Sequence, residues 1–179
     1  MDGQATAQMM VKLLEAVYWY DDALQAALKA GGWPPISRTQ SLLFANIGSG
    51  ERRPARLAYN LGISRQLLSH MLEELQERKI LQLEPDPSDG RARIVSFTKE
   101  SQALRKTAIS ILLSLEEALK ARLGATTFNA LAKGLAADWG PAPIVRLVNA
   151  RKVSVETRSM PRKHRHSDKR LAGSRGASR

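Results

Sequence analysis

Four polar residues, Arg65, Gln66, Ser69 and His70, stand among the leucines of one short segment, residues 65–72. If Leu67, Leu68, Met71 and Leu72 turn inward on a helix, these four turn outward over its first two turns. Arg and Gln can make paired hydrogen bonds to guanine and adenine edges, and Ser or His can add single bonds to bases or phosphates. That is a chemistry of recognition, not of reaction. Glu73, Glu74 and Glu77, farther along, would meet phosphates unfavourably and are expected to lie off any nucleic acid.

The rest of the chain offers no reactive set. It has 179 residues and no cysteine, which excludes a disulfide scaffold, a thiolate zinc site, a cysteine nucleophile and a thiol redox sensor. His164 and His166 stand among arginines, and His70 is alone on its helix, so no metal site is expected. Asp21 and Asp22 are adjacent on a helix, point in different directions and are expected on a solvated face. Neither a nucleophile–base set nor a phosphate-cradling glycine loop is visible, so the expectation is no enzyme and no cofactor.

The elements that must hold the four residues can be read outward from them. Ser64 caps their helix, which runs to about Lys79, and Gly62 stops a preceding short helix begun by Pro54. Ala58 and Gly62, with Leu57, Leu61, Ile63, Leu68 and Met71 around them, fit a helix-turn-helix, where two helices cross closely over a small residue and a glycine turn. A plain helical hairpin would also satisfy that pattern. Leu81 to Glu84 and Ala92 to Phe97 then read as two strands flanking a loop of Pro85, Asp86, Pro87, Ser88, Asp89 and Gly90. Arg91 and Arg93 could carry such a loop into a minor groove, and an aspartate two residues before an arginine, as Asp89 is before Arg91, can orient the guanidinium.

Flanking helices complete the frame. Apolar residues recur at helical spacing from Thr6 to Lys29, ended by Gly31, Gly32, Pro34 and Pro35; Ser37 caps a second helix closing near Gly48 and Gly50. Thr98, with Ser101 behind it, offers a cap to a long helix that Gly124 closes. Thr126 or Thr127 starts a last helix ending before Gly140 and Pro141. The fold class is mainly α with a small β-hairpin wing: a winged helix-turn-helix plus a helical dimerisation region. The organisation is 1–36, an N-terminal dimerisation helix; 37–98, the DNA-binding lobe; 99–140, C-terminal dimerisation helices; and 141–179, a basic tail.

In this order the elements resemble the MarR family of winged helix-turn-helix transcriptional regulators over roughly residues 8 to 140. The likeness is strongest from Glu84-Pro85-Asp86-Pro87-Ser88-Asp89-Gly90-Arg91-Ala92 to Val95-Ser96-Phe97-Thr98. The sequence departs from the family pattern at Lys79, Leu83, Glu84, Gly90, Phe97 and Ser101, which leaves Arg91 as the wing arginine to carry over. The resemblance implies a homodimer with interlocked terminal helices and a pseudo-palindromic operator in double-stranded DNA. Ser64, Arg65, Gln66, Ser69 and His70 would face bases or nearby phosphates, Arg91 and Arg93 would serve the wing, and Arg52, Arg53 and Arg56 would grip the backbone. It also implies a small aromatic or anionic effector between dimer region and lobe, where Tyr18, Trp19 and Tyr20 could form a pocket; alternatively these rings pack the core or the dimer interface.

The formal charge of +11 is unevenly placed. Residues 150–179 hold 10 Lys and Arg against 2 Asp and Glu, a net +8, while residues 1–149 carry only +3. The tail is too poor in large apolar groups to offset its ordering entropy and is expected to lack regular structure; it either adds phosphate affinity or only aids solubility. Without an apolar stretch of about 18 residues or a basic leader, a cytoplasmic protein free of membranes is expected. An architectural protein with little preference among DNA sequences is the alternative to a regulator.

Overall fold

The computed structural model describes the backbone of residues 8–149 and 152–156, and side chains as far as residue 144. The order is α1 (Gln8–Ala30), α2 (Arg38–Gly48), α3 (Pro54–Leu61), α4 (Arg65–Glu77), β1 (Leu81–Asp86), β2 (Asp89–Phe97), α5 (Gln102–Leu123), α6 (Ala125–Ala136), β3 (Ile144–Asn149) and β4 (Lys152–Glu156). This is the mainly helical, winged architecture expected. Among the described residues no helix is long and apolar enough to cross a membrane. The chain divides into two compact units that meet after Phe128, within α6.

In the first unit, local signals begin and end each helix. Ser37 and Gln40 form a reciprocal capping box: the Ser37 hydroxyl accepts from the Gln40 N–H at 3.2 Å, and the Gln40 side chain accepts from the Ser37 N–H at 2.9 Å. Pro54 opens α3, and Gly62, at φ 65°, ends it in a left-handed conformation that only glycine adopts at no cost. That turn lets the Ile63 N–H reach the Ala58 carbonyl at 3.1 Å and leads straight into the Ser64 cap of α4, whose hydroxyl accepts from the Leu67 N–H at 3.1 Å. Leu68, Leu72 and Leu75 of α4 then fall on one face and pack with Leu43, Leu57, Leu81 and Val95 into a single core.

The wing is tighter than the sequence suggests. β1 and β2 pair antiparallel from Leu81↔Phe97 to Asp86↔Asp89, so that most of the expected loop is strand and only Pro87 and Ser88 turn. The register slips between Pro85 and Asp86, where a residue without an N–H cannot extend a regular ladder. Thr98 is no helix cap: its hydroxyl donates to the Lys79 carbonyl and accepts from the Ser101 N–H at 3.2 Å, and α5 starts only at Gln102. Lys79 itself has φ 54°, an unfavourable left-handed conformation for a residue with a Cβ.

The second unit holds the end of α6 and a separate hairpin in which Val145 faces Val155 and Leu147 faces Val153. The Trp139 indole donates to the Gly134 carbonyl at 2.8 Å, closing the helix end. The expectation of a tail without regular structure is therefore corrected over 144–149 and 152–156, where alternating β-branched residues outweigh the basic composition. Residues 157–179, including His164 and His166, lie outside the described residues.

Candidate nucleic-acid interface

α4 leaves the core with Arg65, Gln66, Ser69 and His70 exposed, as their spacing implied. One correction is needed: Leu67, expected inward, is 50% exposed, whereas Leu68 is 1% exposed. The core stripe is 68, 72 and 75, and residue 67 stands about 100° away on a helix of 3.6 residues per turn. Ser64, Gln66, Leu67, Ser69, His70 and Glu73 together line one shallow concavity. Glu73, expected off the nucleic acid, thus shares the surface of the candidate readers.

The three arginines assigned to the DNA backbone behave differently from one another. Arg52 donates to Glu84 at 2.6 Å and to the Val95 carbonyl at 3.2 Å, while its own carbonyl accepts from the Val95 N–H at 2.8 Å. Arg53 donates twice to one oxygen of Asp86, at 2.9 and 3.2 Å, and to the Ser88 hydroxyl at 3.3 Å. Both therefore pin the wing to the start of α3. Arg56 lies over the ring of Tyr59, 5.3 Å from its centroid, and 3.7 Å from Glu51. Tyr59 is a surface residue the sequence reading passed over, although its position three residues after Arg56 puts the pair on one helix face.

Asp86 is the hub of the wing. Only 6% exposed, it accepts from the Ser88 hydroxyl at 2.6 Å and the Ser88 N–H at 2.8 Å as well as from Arg53. The Ser88 bonds first, and Arg53 after them, hold its carboxyl at about 2, well below the ordinary carboxylate range. The expectation that a wing aspartate orients the guanidinium of an arginine two residues on is corrected. Asp89 accepts from the Arg91 backbone N–H at 3.1 Å, and Arg93 donates across the hairpin to the Leu83 carbonyl at 2.8 Å. The Arg91 side chain stays exposed at the wing.

A cavity of about 260 Å³ opens in the same unit, between the helices flanking the lobe and the lobe itself. Leu24 and Leu28 of α1, Phe44 of α2, Phe97 of β2, and Leu104 and Arg105 of α5 are among its lining residues. Arg105 is the charged residue in that lining and stacks over Phe97 at 4.3 Å. Tyr18, Trp19 and Tyr20 do not line it. The three rings make different contacts. Tyr18 lies under Arg38 at 4.5 Å, Trp19 meets Tyr20 edge-on at 4.9 Å, and burial, then the Glu116 carboxylate, pushes the Tyr20 hydroxyl up. Arg105 is detectable in the sequence only as a cation beside an apolar stripe.

Asp21 and Asp22 are not simply solvated. Arg38 donates to Asp21 at 2.9 Å and also to Asp22, one guanidinium fork spanning two neighbouring carboxylates. Gln25 adds bonds to Ser41 at 2.7 Å and to Asp21 at 3.2 Å, so α1 and α2 are joined by polar side chains at the edge of the cavity.

Residues 35–92, which cover the helix-turn-helix and most of the wing, match the model of the MarR family. Solved structures with the same fold include wild-type MarR from E. coli, 20% identical, covering 70% of this chain and 95% of that one, with a TM-score of 0.52. CouR from Rhodococcus jostii RHA1, bound to p-coumaroyl-CoA, is 24% identical over 74% of this chain and 92% of that one, with a TM-score of 0.53. The repressor CouR bound to a 23-mer DNA duplex covers 75% of this chain and 94% of that one at the same identity, with a TM-score of 0.54. No curated protein sequence matches the chain. That match agrees with the resemblance drawn from the wing residues, and the fold is the one these solved MarR-family structures share.

Proposed function

We propose that the chain is a sequence-specific, MarR-type transcriptional regulator that works without catalysis in the cytoplasm, as a homodimer on a pseudo-palindromic operator, and that a small molecule releases it. The observation that carries this reading is the exposed polar face of α4, offered from its N-terminal half by a capped and tightly packed helix-turn-helix. Gln66, with Arg65, Ser69 and His70, would read base edges. Arg91 and Arg56 would serve phosphates or the minor groove, and Arg52 and Arg53 would act by holding the wing in place.

Self-association is supported by what α1 and α5 leave uncovered. Met9, Met10, Leu14 and Val17 on α1, and Ile109 and Leu113 on α5, are exposed apolar side chains on two of the longest helices. A second copy is the partner that would cover both faces symmetrically. The cavity beside Arg105 would take an effector with an apolar body and an anionic group, since its walls are otherwise apolar or neutral. Such a ligand releases DNA only if it binds better to a lobe spacing unsuited to the operator.

Selection of bound duplexes from random DNA at stated salt tests the reading. The expected product is an inverted repeat with half-sites about one helical turn apart. No preference over bulk DNA would instead indicate an architectural protein. Gln66→Ala should relax preference at one position per half-site and cost about 1 to 3 kcal/mol there, measured by competition between operator variants.

A further inference from the structure

Leu67 is the anomaly of the α4 surface. Every other exposed residue of that helix, namely Arg65, Gln66, Ser69, His70, Glu73, Glu74 and Glu77, is polar or charged. Leu67 is half exposed in the first turn, where the helix would enter a groove, and it shares one concavity with Gln66, Ser69 and His70. Its backbone is fixed, because its N–H is held by the Ser64 cap. The core does not need it: Leu68, Leu72 and Leu75 fill the buried stripe without its help. An isobutyl group held in water beside hydrogen-bonding readers gains from the partner surface only where that surface is itself apolar. In the major groove the one apolar feature that any base pair offers is the 5-methyl group of a pyrimidine, carried by thymine and absent from unmodified cytosine.

We infer that Leu67 is a specificity-determining residue that packs against a thymine 5-methyl group in each half-site, beside the base edges read by Gln66, Ser69 and His70. This rests on the proposed reading of the lobe as a DNA reader and adds a discrimination that hydrogen bonding alone does not supply. The contact is apolar and lies in the major groove, so it is insensitive to salt, unlike phosphate contacts.

The test uses the whole 179-residue chain and the duplex chosen from random DNA, with each thymine replaced in turn by deoxyuridine, which removes the methyl and keeps every hydrogen-bonding group. Wild type is expected to bind one such duplex about fourfold more weakly per half-site, the effect of one buried methyl-sized group. Leu67→Ala, which removes no core contact and should melt like wild type, is expected to bind the thymine and deoxyuridine duplexes equally. 5-Methylcytosine placed at the same position, with guanine opposite, separates the methyl from the base: partial recovery over plain cytosine in wild type but not in Leu67→Ala supports the contact. Equal binding of all deoxyuridine duplexes by wild type, or an unchanged penalty in Leu67→Ala, overturns the inference while leaving a sequence-specific regulator standing. Failure of the selection to yield any preferred site overturns the regulator reading and the inference with it.

Discussion

The lobe of α2, α3, α4 and the wing buries most of its apolar side chains, with Leu67 and Tyr59 among the exceptions, whereas α1 and α5 keep many of theirs in the open. In the lobe, Leu43, Leu57, Leu68, Leu75, Leu81 and Val95 are all but inaccessible, and long-range ion pairs fasten the wing to the start of α3. On α1 and α5, by contrast, several large apolar side chains, among them Met9, Met10, Ile109 and Leu113, stay exposed among the charged ones. The difference teaches that the two regions are stable for different reasons. The lobe buries its core within one chain, whereas the exposed apolar side chains of α1 and α5 are what the proposed second copy would cover.

Breaking the helical side should have the largest effect. Leu113→Asp places a charge on the exposed face of α5, which is 57% exposed at this residue, and within a symmetric interface it would be buried without a partner. The expected cost to association is about 3 to 5 kcal/mol, seen as monomers by sedimentation velocity while the melting of the lobe changes little. Leu68→Ala attacks the other side of the comparison. Removing a side chain that is nearly inaccessible should cost about 2 to 5 kcal/mol in lobe stability, read by denaturant unfolding.

The wing gives a smaller and pH-dependent effect. The Asp86 carboxyl sits at about 2 in the folded chain, below its unfolded value, so it stabilises the wing above roughly pH 4 and loses that contribution as pH falls through its folded value. Asp86→Asn should therefore melt below wild type at pH 7, and the gap should close between about pH 4 and pH 2. Lys79→Gly is the mildest change and has the opposite sign. It relieves a left-handed backbone at φ 54° and should stabilise by about 0.5 to 1 kcal/mol in thermal melts, because glycine's greater unfolded entropy takes back part of the gain.

Most of the architecture was legible because its signals are local. Pro54, Gly62 and Ser64 act on their own neighbours, and the structure puts helix ends where they stand. Leu67 and Leu68 were harder, since two adjacent leucines lie about 100° apart and only the 68, 72, 75 spacing shows which one belongs to the core. Arg52 and Arg53 read as phosphate ligands because their carboxylate partners, Glu84 and Asp86, lie 32 and 33 residues downstream and become neighbours only in the folded lobe. The tyrosine and tryptophan cluster left two readings open, and the described cavity is lined from α1 by Leu24 and Leu28 and not by these rings. The strands over 144–149 and 152–156 were hidden by composition, their valines masked by the arginines and lysines around them.

The 11-residue helix α2 is connected on every side. Arg38 and Ser41 tie it to α1, Gln40 donates to Glu74 of α4 at 3.1 Å, and Asn46 accepts from Asn60 of α3 at 2.8 Å. Phe44 lines the cavity and meets Phe97 of the wing at 5.6 Å. A body tied at both ends and along its length would move together with what it touches. An occupant that displaced Phe44 by an ångström would not simply loosen one contact but would swing the bearing on which α4 turns, which is how a filled cavity could be felt at a surface it never touches.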